Sequence, residues 1–119
     1  MKNGEIWLVD LSDAKGHEQR GERPGIIVGG ANGLVLVVPL TSNTGTARFS
    51  HTLPISPDAH NGLDVESVAL VFQIVSLDRE RFVHRIGTLD GQQRVAIQAL
   101  IRDLMGMDPH KKDKDQNES

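Results

Sequence analysis

At 119 residues the chain has the length of one domain built on one hydrophobic core. It contains no cysteine, which excludes disulfides, thiolate zinc sites and a cysteine nucleophile, and suits a reducing cytoplasm. The formal net charge of -3 speaks against binding nucleic acid through overall basicity.

Several short apolar runs separated by Gly, Pro and Asn breaks give the pattern of a small barrel or sandwich. Glu5–Leu11 reads as the first strand. Gly25–Val28 and Leu34–Pro39 read as a hairpin, with residues 29–33 as its turn because Gly and Asn accept positive φ. Thr52–Ile55 reads as a shorter strand and Ser67–Ile74 as one further apolar run. Asp78–Arg81 has the look of one helical turn, and Phe82–Ile86 of a last strand. The one long helix follows. Asp90 caps it, with Gln93 placed for a reciprocal capping box, and Gly106 stops it. Val95, Ile97, Ala99, Leu100, Ile101, Leu104 and Met105 give that helix a broad apolar face. Residues 108–119 are nearly devoid of apolar side chains and read as a disordered polar tail, leaving residues 1–107 as the folded domain. No signal peptide is read at the amino terminus. Apolar runs such as Leu34–Leu40 are far below the ~20 residues a membrane span needs.

Charge is unevenly spread. Lys15, His17, Arg20, Arg23 and Arg48 sit early, whereas residues 51–119 hold eight Lys/Arg against eleven Asp/Glu, so a local basic groove on a mildly acidic protein is possible. Arg23 stands before Pro24, where a loop enters a strand, and its planar guanidinium could hold two phosphate oxygens. It could equally be a surface arginine paired with Glu18 or Glu22. Thr41 ends an apolar strand, so its hydroxyl could meet a phosphate or simply start a turn with Ser42. His17 could transfer protons near neutral pH. Phe72, inside an apolar run, reads as core packing, with stacking on a base as the other option. Trp7 reads as core or as part of a dimer seam. His51, His60, His84 and His110 show no metal-ligand spacing, and residues 29–33 lack the Lys-Ser/Thr ending of a phosphate-binding loop. No metal or cofactor is expected.

Gly4-Glu5-Ile6-Trp7-Leu8-Val9-Asp10-Leu11, Gly16-His17-Glu18-Gln19 and Arg23-Pro24-Gly25-Ile26-Ile27-Val28 together resemble the MazF/PemK (Kid) toxins, small RNA-cutting proteins of bacterial toxin–antitoxin pairs. The likeness continues through Val38-Pro39-Leu40-Thr41-Ser42 and Gln73-Ile74-Val75-Ser76-Leu77-Asp78, and covers residues 2–106. It implies a mostly β fold, an SH3-like small barrel with a C-terminal helix. It also implies a cytoplasmic, metal-independent and sequence-selective endoribonuclease acting on single-stranded RNA through the substrate's own 2′-hydroxyl. Arg23 falls on the family's catalytic arginine, Thr41 on its phosphate-contacting threonine and His17 on the histidine given a catalytic role in the Kid branch. Glu18, Gln19, Arg20, Ser42, Arg48 and Gln73 are the RNA-binding candidates. The expected partners are single-stranded RNA, a small antitoxin and a second copy of the chain, with no membrane. The Kid branch has an arginine where Leu70 stands and an acid where Phe72 stands, so that assisting pair is missing. Two rivals remain. One is a protein poison like the gyrase inhibitor CcdB, which the charged, aromatic-free C-terminus disfavours. The other is a relative that only binds RNA.

Overall fold

The computed structural model describes residues 1–12 and 21–107. His17, Glu18, Gln19 and Arg20, and the tail at 108–119, lie outside the described residues.

Seven strands and one α-helix are present: β1 Glu5–Asp10, β2 Glu22–Ala31, β3 Leu34–Thr41, β4 Thr52–Ile55, β5 Ser67–Leu70, β6 Val75–Asp78, β7 Phe82–Thr88 and α1 Gly91–Leu104. Pairing is antiparallel throughout, in the order β4-β5-β3-β2-β1-β7, with β6 also on β3. β3 has two successive neighbours on one side. Its first half, Leu34–Val37, pairs with β6, and its end, Leu40 and Thr41, pairs with β5. The sheet therefore wraps as an open barrel, with β4 and β7 as its two ends.

The mostly β architecture with a single C-terminal helix is the one expected, and three local readings change. The hairpin strands run longer than the apolar pattern suggested. Only Asn32 and Gly33 form the turn, with φ of 58° and 82°, the pair of positive values a two-residue turn between twisted strands requires. Ser67–Ile74 is not one strand. Continuing the β3–β5 register, in which Leu40 faces Ala69, would set Phe72 opposite Val37, yet Val75 stands there. Three extra residues are taken up by a 3-10 turn at Val71–Gln73, which pushes Phe72 out of the sheet. Phe72 is 41% exposed, so the core-packing reading is overturned.

The third change concerns α1. Asp90 caps it by accepting from the Gln93 N–H at 2.7 Å, as expected. The reciprocal half of the capping box is not made, and Gln93 Oε1 is buried without a partner. The inward face is Ile97, Leu100 and Ile101, while Val95 and Met105 point out at 62% and 65% exposure. Two residues correspond to about 200° of helical turn, so Val95 and Ile97 cannot share a face.

The main core joins Ile6, Ile26, Val38, Leu40, Ile55, Ala69, Val71 and Leu89 to Ile97 of the helix. A second cluster packs Trp7, Leu77 and Phe82 on Ile27, Val35 and Val37. Trp7 meets Phe82 edge to face at 6.1 Å and donates its indole N–H to Glu5 Oε1 at 2.9 Å, so it belongs to this smaller core.

Candidate functional site

Arg23 and Thr41 come from neighbouring strands. β2 and β3 pair Ile26 with Val38 and Gly25 with Pro39, and the same register carried two residues on sets Arg23 opposite Thr41. On its other side Arg23 pairs with Val9 of β1. Gly25 allows this close arrangement, because a Cβ there would sit 2.4 Å from Val37 Cγ1. Two side chains separated by many residues in sequence thus meet at one end of the sheet.

They line a cleft of about 770 Å³ whose polar walls are Glu22, Arg23, Thr41, Ser42, Asn43 and Asp64. Arg23 is half-buried, and its side chain makes no hydrogen bond or ion pair among the described residues. The alternative of an Arg23–Glu22 pair is therefore not what the structure contains. A guanidinium held by a strand, with all its N–H donors unspent, is suited to a planar anion.

Thr41 and its neighbours form a braced loop. Thr41 Oγ1 accepts from the Asn43 N–H at 3.1 Å, and Asn43 Oδ1 accepts from the Gly45 N–H at 3.1 Å. The Thr46 hydroxyl donates to the Asn43 carbonyl at 2.8 Å. Asn43 thereby caps a 3-10 turn at Thr44–Arg48. Because the Thr41 oxygen is already an acceptor, its O–H proton remains available to donate. The Ser42 hydroxyl beside it is exposed and has no partner among the described residues.

The opposite wall is the segment carrying Gly62, Leu63 and Asp64. Asn61 anchors it as a fully buried polar side chain. Its Nδ2 donates to the Ser56 carbonyl at 2.8 Å, and its Oδ1 accepts from the Leu63 N–H at 3.0 Å. Gly62 follows with φ of 71°, and a Cβ there would meet the Ile86 carbonyl oxygen at 2.4 Å. Asp58 accepts from the His60 and Asn61 N–H groups, which hold its carboxyl below the ordinary range. At the base of β1, Asp10 is lowered by hydrogen bonds from the Ser12 side chain and backbone.

The structure thus gathers Arg23, Thr41 and Ser42, and places Arg48 and Gln73 apart from them. Gln73 lines a second cleft with Phe49, Ser50, His51, Phe72 and Leu104, and Arg48 lies over the Phe49 ring at 4.8 Å. Asn43, Asp64 and the anchor Asn61 were not singled out from sequence. The Asn that follows Thr41-Ser42, and the Asp58…Asn61-Gly62 spacing, carried the turn signals that would have found them. Among the described residues no three His, Asp or Glu side chains are grouped to hold a metal ion.

The sequence model of the family described as "PemK-like, MazF-like toxin of type II toxin-antitoxin system" matches residues 2–105. The chain belongs to this family. Among curated relatives, "Endoribonuclease MazF9" of Mycobacterium tuberculosis is 30% identical over 112 residues, covering 86% of this chain and 93% of the relative. "Endoribonuclease MazF" of Staphylococcus epidermidis is 28% identical over 119 residues, covering 93% and 98%. Among solved structures, MazF of Deinococcus radiodurans superimposes with a TM-score of 0.73 at 24% identity over 90% of this chain and 97% of that one. The Mycobacterium tuberculosis toxin MazF-mt6 does so at 0.69 and 22% identity, over 87% and 98%. These structures share the fold seen here. Leu70 and Phe72, where the Kid-branch likeness led to the expectation of an arginine and an acid, are buried and exposed respectively.

Proposed function

We propose that this toxin is an endoribonuclease that cuts single-stranded RNA, mRNA above all, in a sequence-selective and metal-independent way. The single observation that carries the reading is the Arg23 guanidinium, without a partner among the described residues, standing across from Thr41 in a polar cleft. The relatives named endoribonuclease support the reaction class.

The nucleophile belongs to the substrate. The ribose 2′-oxygen attacks the adjacent phosphorus, the bond to the 5′-oxygen breaks, and the products end in a 2′,3′-cyclic phosphate and a 5′-hydroxyl. One proton leaves the 2′-hydroxyl and one reaches the departing 5′-oxygen. Arg23 meets the charge that builds on the non-bridging oxygens, where a fixed donor contributes ~10²–10³-fold in rate. Thr41 donates its free O–H to the same phosphate and Ser42 offers a second donor. Holding the strand so that the 2′-oxygen lines up with the leaving group supplies much of the remaining acceleration. His17 is assigned one of the two proton transfers, as base or acid, and Glu18, Gln19 and Arg20 are assigned contacts to RNA.

The reading extends to partners. Antitoxin complexes solved for MazF of Deinococcus radiodurans and for a mycobacterial endoribonuclease support a cognate antitoxin for this chain. A disordered acidic segment laid over Arg23 would mimic the phosphates of RNA. The exposed Leu34, Leu36, Val83 and Val95 suit a homodimer, and the cytoplasm is where the substrate would be met.

The test is to incubate the purified protein with a long single-stranded RNA in excess EDTA and map the fragment ends. Discrete cuts with 5′-hydroxyl ends are expected. Intact RNA, or cuts that appear only with added divalent cation, would overturn the proposal.

A further inference from the structure

The wall of the cleft opposite Arg23 and Thr41 carries a carboxylate that the cleavage chemistry leaves unused. Asp64 lines the cleft, and its side chain makes no hydrogen bond or ion pair among the described residues. The chain is held on both sides of it. Before it, Leu63 is 9% exposed and belongs to the main core, and its N–H donates to the buried Asn61 at 3.0 Å. After it, the Glu66 carboxylate accepts from the Ser56 hydroxyl at 2.7 Å, and the Ser67 hydroxyl donates to the Val65 carbonyl at 3.0 Å. Glu66 is thus engaged by the fold, and Asp64, two residues away, is left to face the cleft from a braced backbone.

A phosphate on that wall would meet like charge. The phosphate belongs instead on the wall of Arg23, Thr41 and Ser42, where the donors are. What reaches Asp64 is then the uncharged part of a nucleotide, its base. A cleft of about 770 Å³ lies in the size range that encloses a small organic ligand, which leaves room for a base beside the phosphate. Its apolar lining suits one. Leu8, Leu40, Leu63 and Ile86 contribute to it, and Val65 beside Asp64 is 53% exposed.

An ionised carboxylate only accepts hydrogen bonds, through two oxygens. The four bases differ in what they donate to it. Guanine sets N1–H and N2–H side by side, a match for both oxygens. Adenine and cytosine offer one amino group each. Uracil offers N3–H between two carbonyls, which a carboxylate repels. We infer that Asp64 is a specificity-determining residue of this toxin, reading the base of a nucleotide adjoining the scissile phosphate, selecting guanine and rejecting uracil. This rests on the nuclease reading for the identity of the strand.

The experiment gives the full chain a random pool of single-stranded 2′-O-methyl RNA dodecamers, which have no free 2′-hydroxyl to attack with, and sequences the retained fraction. Wild type should retain guanine over uracil at one position of the aligned sequences by about 5- to 150-fold, the discrimination of one bidentate pair. Asp64→Ala should lose that preference with its melting temperature unchanged. Asp64→Asn should move it to adenine, which an amide pairs with through one donor and one acceptor. Glu22→Gln, which removes a negative charge from the same cleft but from β2, should keep the guanine preference. Inosine in place of guanosine, which lacks the N2 amino group, should bind wild type more weakly and Asp64→Ala equally. Equal retention of the four bases by wild type overturns the inference. So does a guanine preference that survives Asp64→Ala, or a uniform gain of affinity for every base when the carboxylate is removed. A guanine preference that depends on Asp64, in a wild type that does not cut cleavable RNA, overturns the nuclease reading alone.

Discussion

The Arg23 side chain makes no hydrogen bond or ion pair among the described residues, so its removal should separate activity from stability. Arg23→Ala is expected to lower the single-turnover cleavage rate by ~10²–10³-fold with the melting temperature unchanged. Parallel kinetics and circular dichroism melts would check this, and a rate within a factor of two of wild type would remove Arg23 from the chemistry. Thr41 differs because its oxygen also braces Asn43. Thr41→Val should cost about 10- to 100-fold in rate, the worth of one hydrogen bond to a charged group, together with a small loss of stability. Both residues were legible in sequence through the Arg-Pro step, the strand-end Thr-Ser pair and the family likeness. That Arg23 does not pair with Glu22 was not legible, because Glu22 is adjacent in sequence and only the strand geometry keeps the two apart. Phe72 was misread for a related reason. Apolar periodicity cannot register three inserted residues that change which side chain faces the partner strand.

At the scale of elements, the loop carrying Gly62, Leu63 and Asp64 is held by one side chain. Asn61→Ala should destabilise the protein by about 2–3 kcal/mol, because the buried Leu63 N–H loses its acceptor. A urea melt checks it, and a change under 0.5 kcal/mol would show that the loop holds itself. Gly25→Ala should cost about 1–3 kcal/mol through the clash with Val37, and should disturb the β2–β3 register that aligns Arg23 with Thr41. The strand assignments other than β6 and the extent of β5, the Asp90 cap and the turn at Arg79–Arg81 followed from local chemistry, with Asp78 accepting from the Glu80 N–H at 3.0 Å. The end of β5 at Leu70, the 3-10 turn after it and the strand β6 beyond the Ser67–Ile74 run did not. They are dictated by β3, which needs two neighbours in succession, and that demand is non-local.

At the scale of the whole molecule, three carboxylates among the described residues are held below their ordinary range and contribute to the pH dependence of stability. Glu5 is lowered mainly by the Trp7 indole hydrogen bond, Asp10 by the Ser12 side chain, and Asp58 by the His60 and Asn61 N–H groups. Folded values lie below the unfolded references of 4.5 for Glu and 3.8 for Asp. Their stabilisation is therefore present above those references and is lost as pH falls through the folded values. The melting temperature should drop on acidification from pH 6 to pH 3, and Glu5→Gln should be less stable at pH 6 with a shallower drop below pH 4.5. Identical slopes would mean that Glu5 is not part of this linkage. The mostly β architecture with a terminal helix was legible because short apolar runs and turn residues specify it together. The wrapping of the sheet as a barrel was legible only through the family likeness, and the meeting of Arg23 with Thr41 was not legible from pattern, since it depends on pairing between distant segments.

The most direct test of the account is single-turnover cleavage of one mapped RNA by wild type, Arg23→Lys and Arg23→Ala, with product ends identified. The account predicts a steep loss for Ala, a substantial loss for Lys because a point charge cannot reproduce the two-pronged guanidinium contact, and cyclic-phosphate and 5′-hydroxyl ends on whatever product remains. Wild-type rates in Arg23→Ala, or products with 5′-phosphate ends, would contradict it.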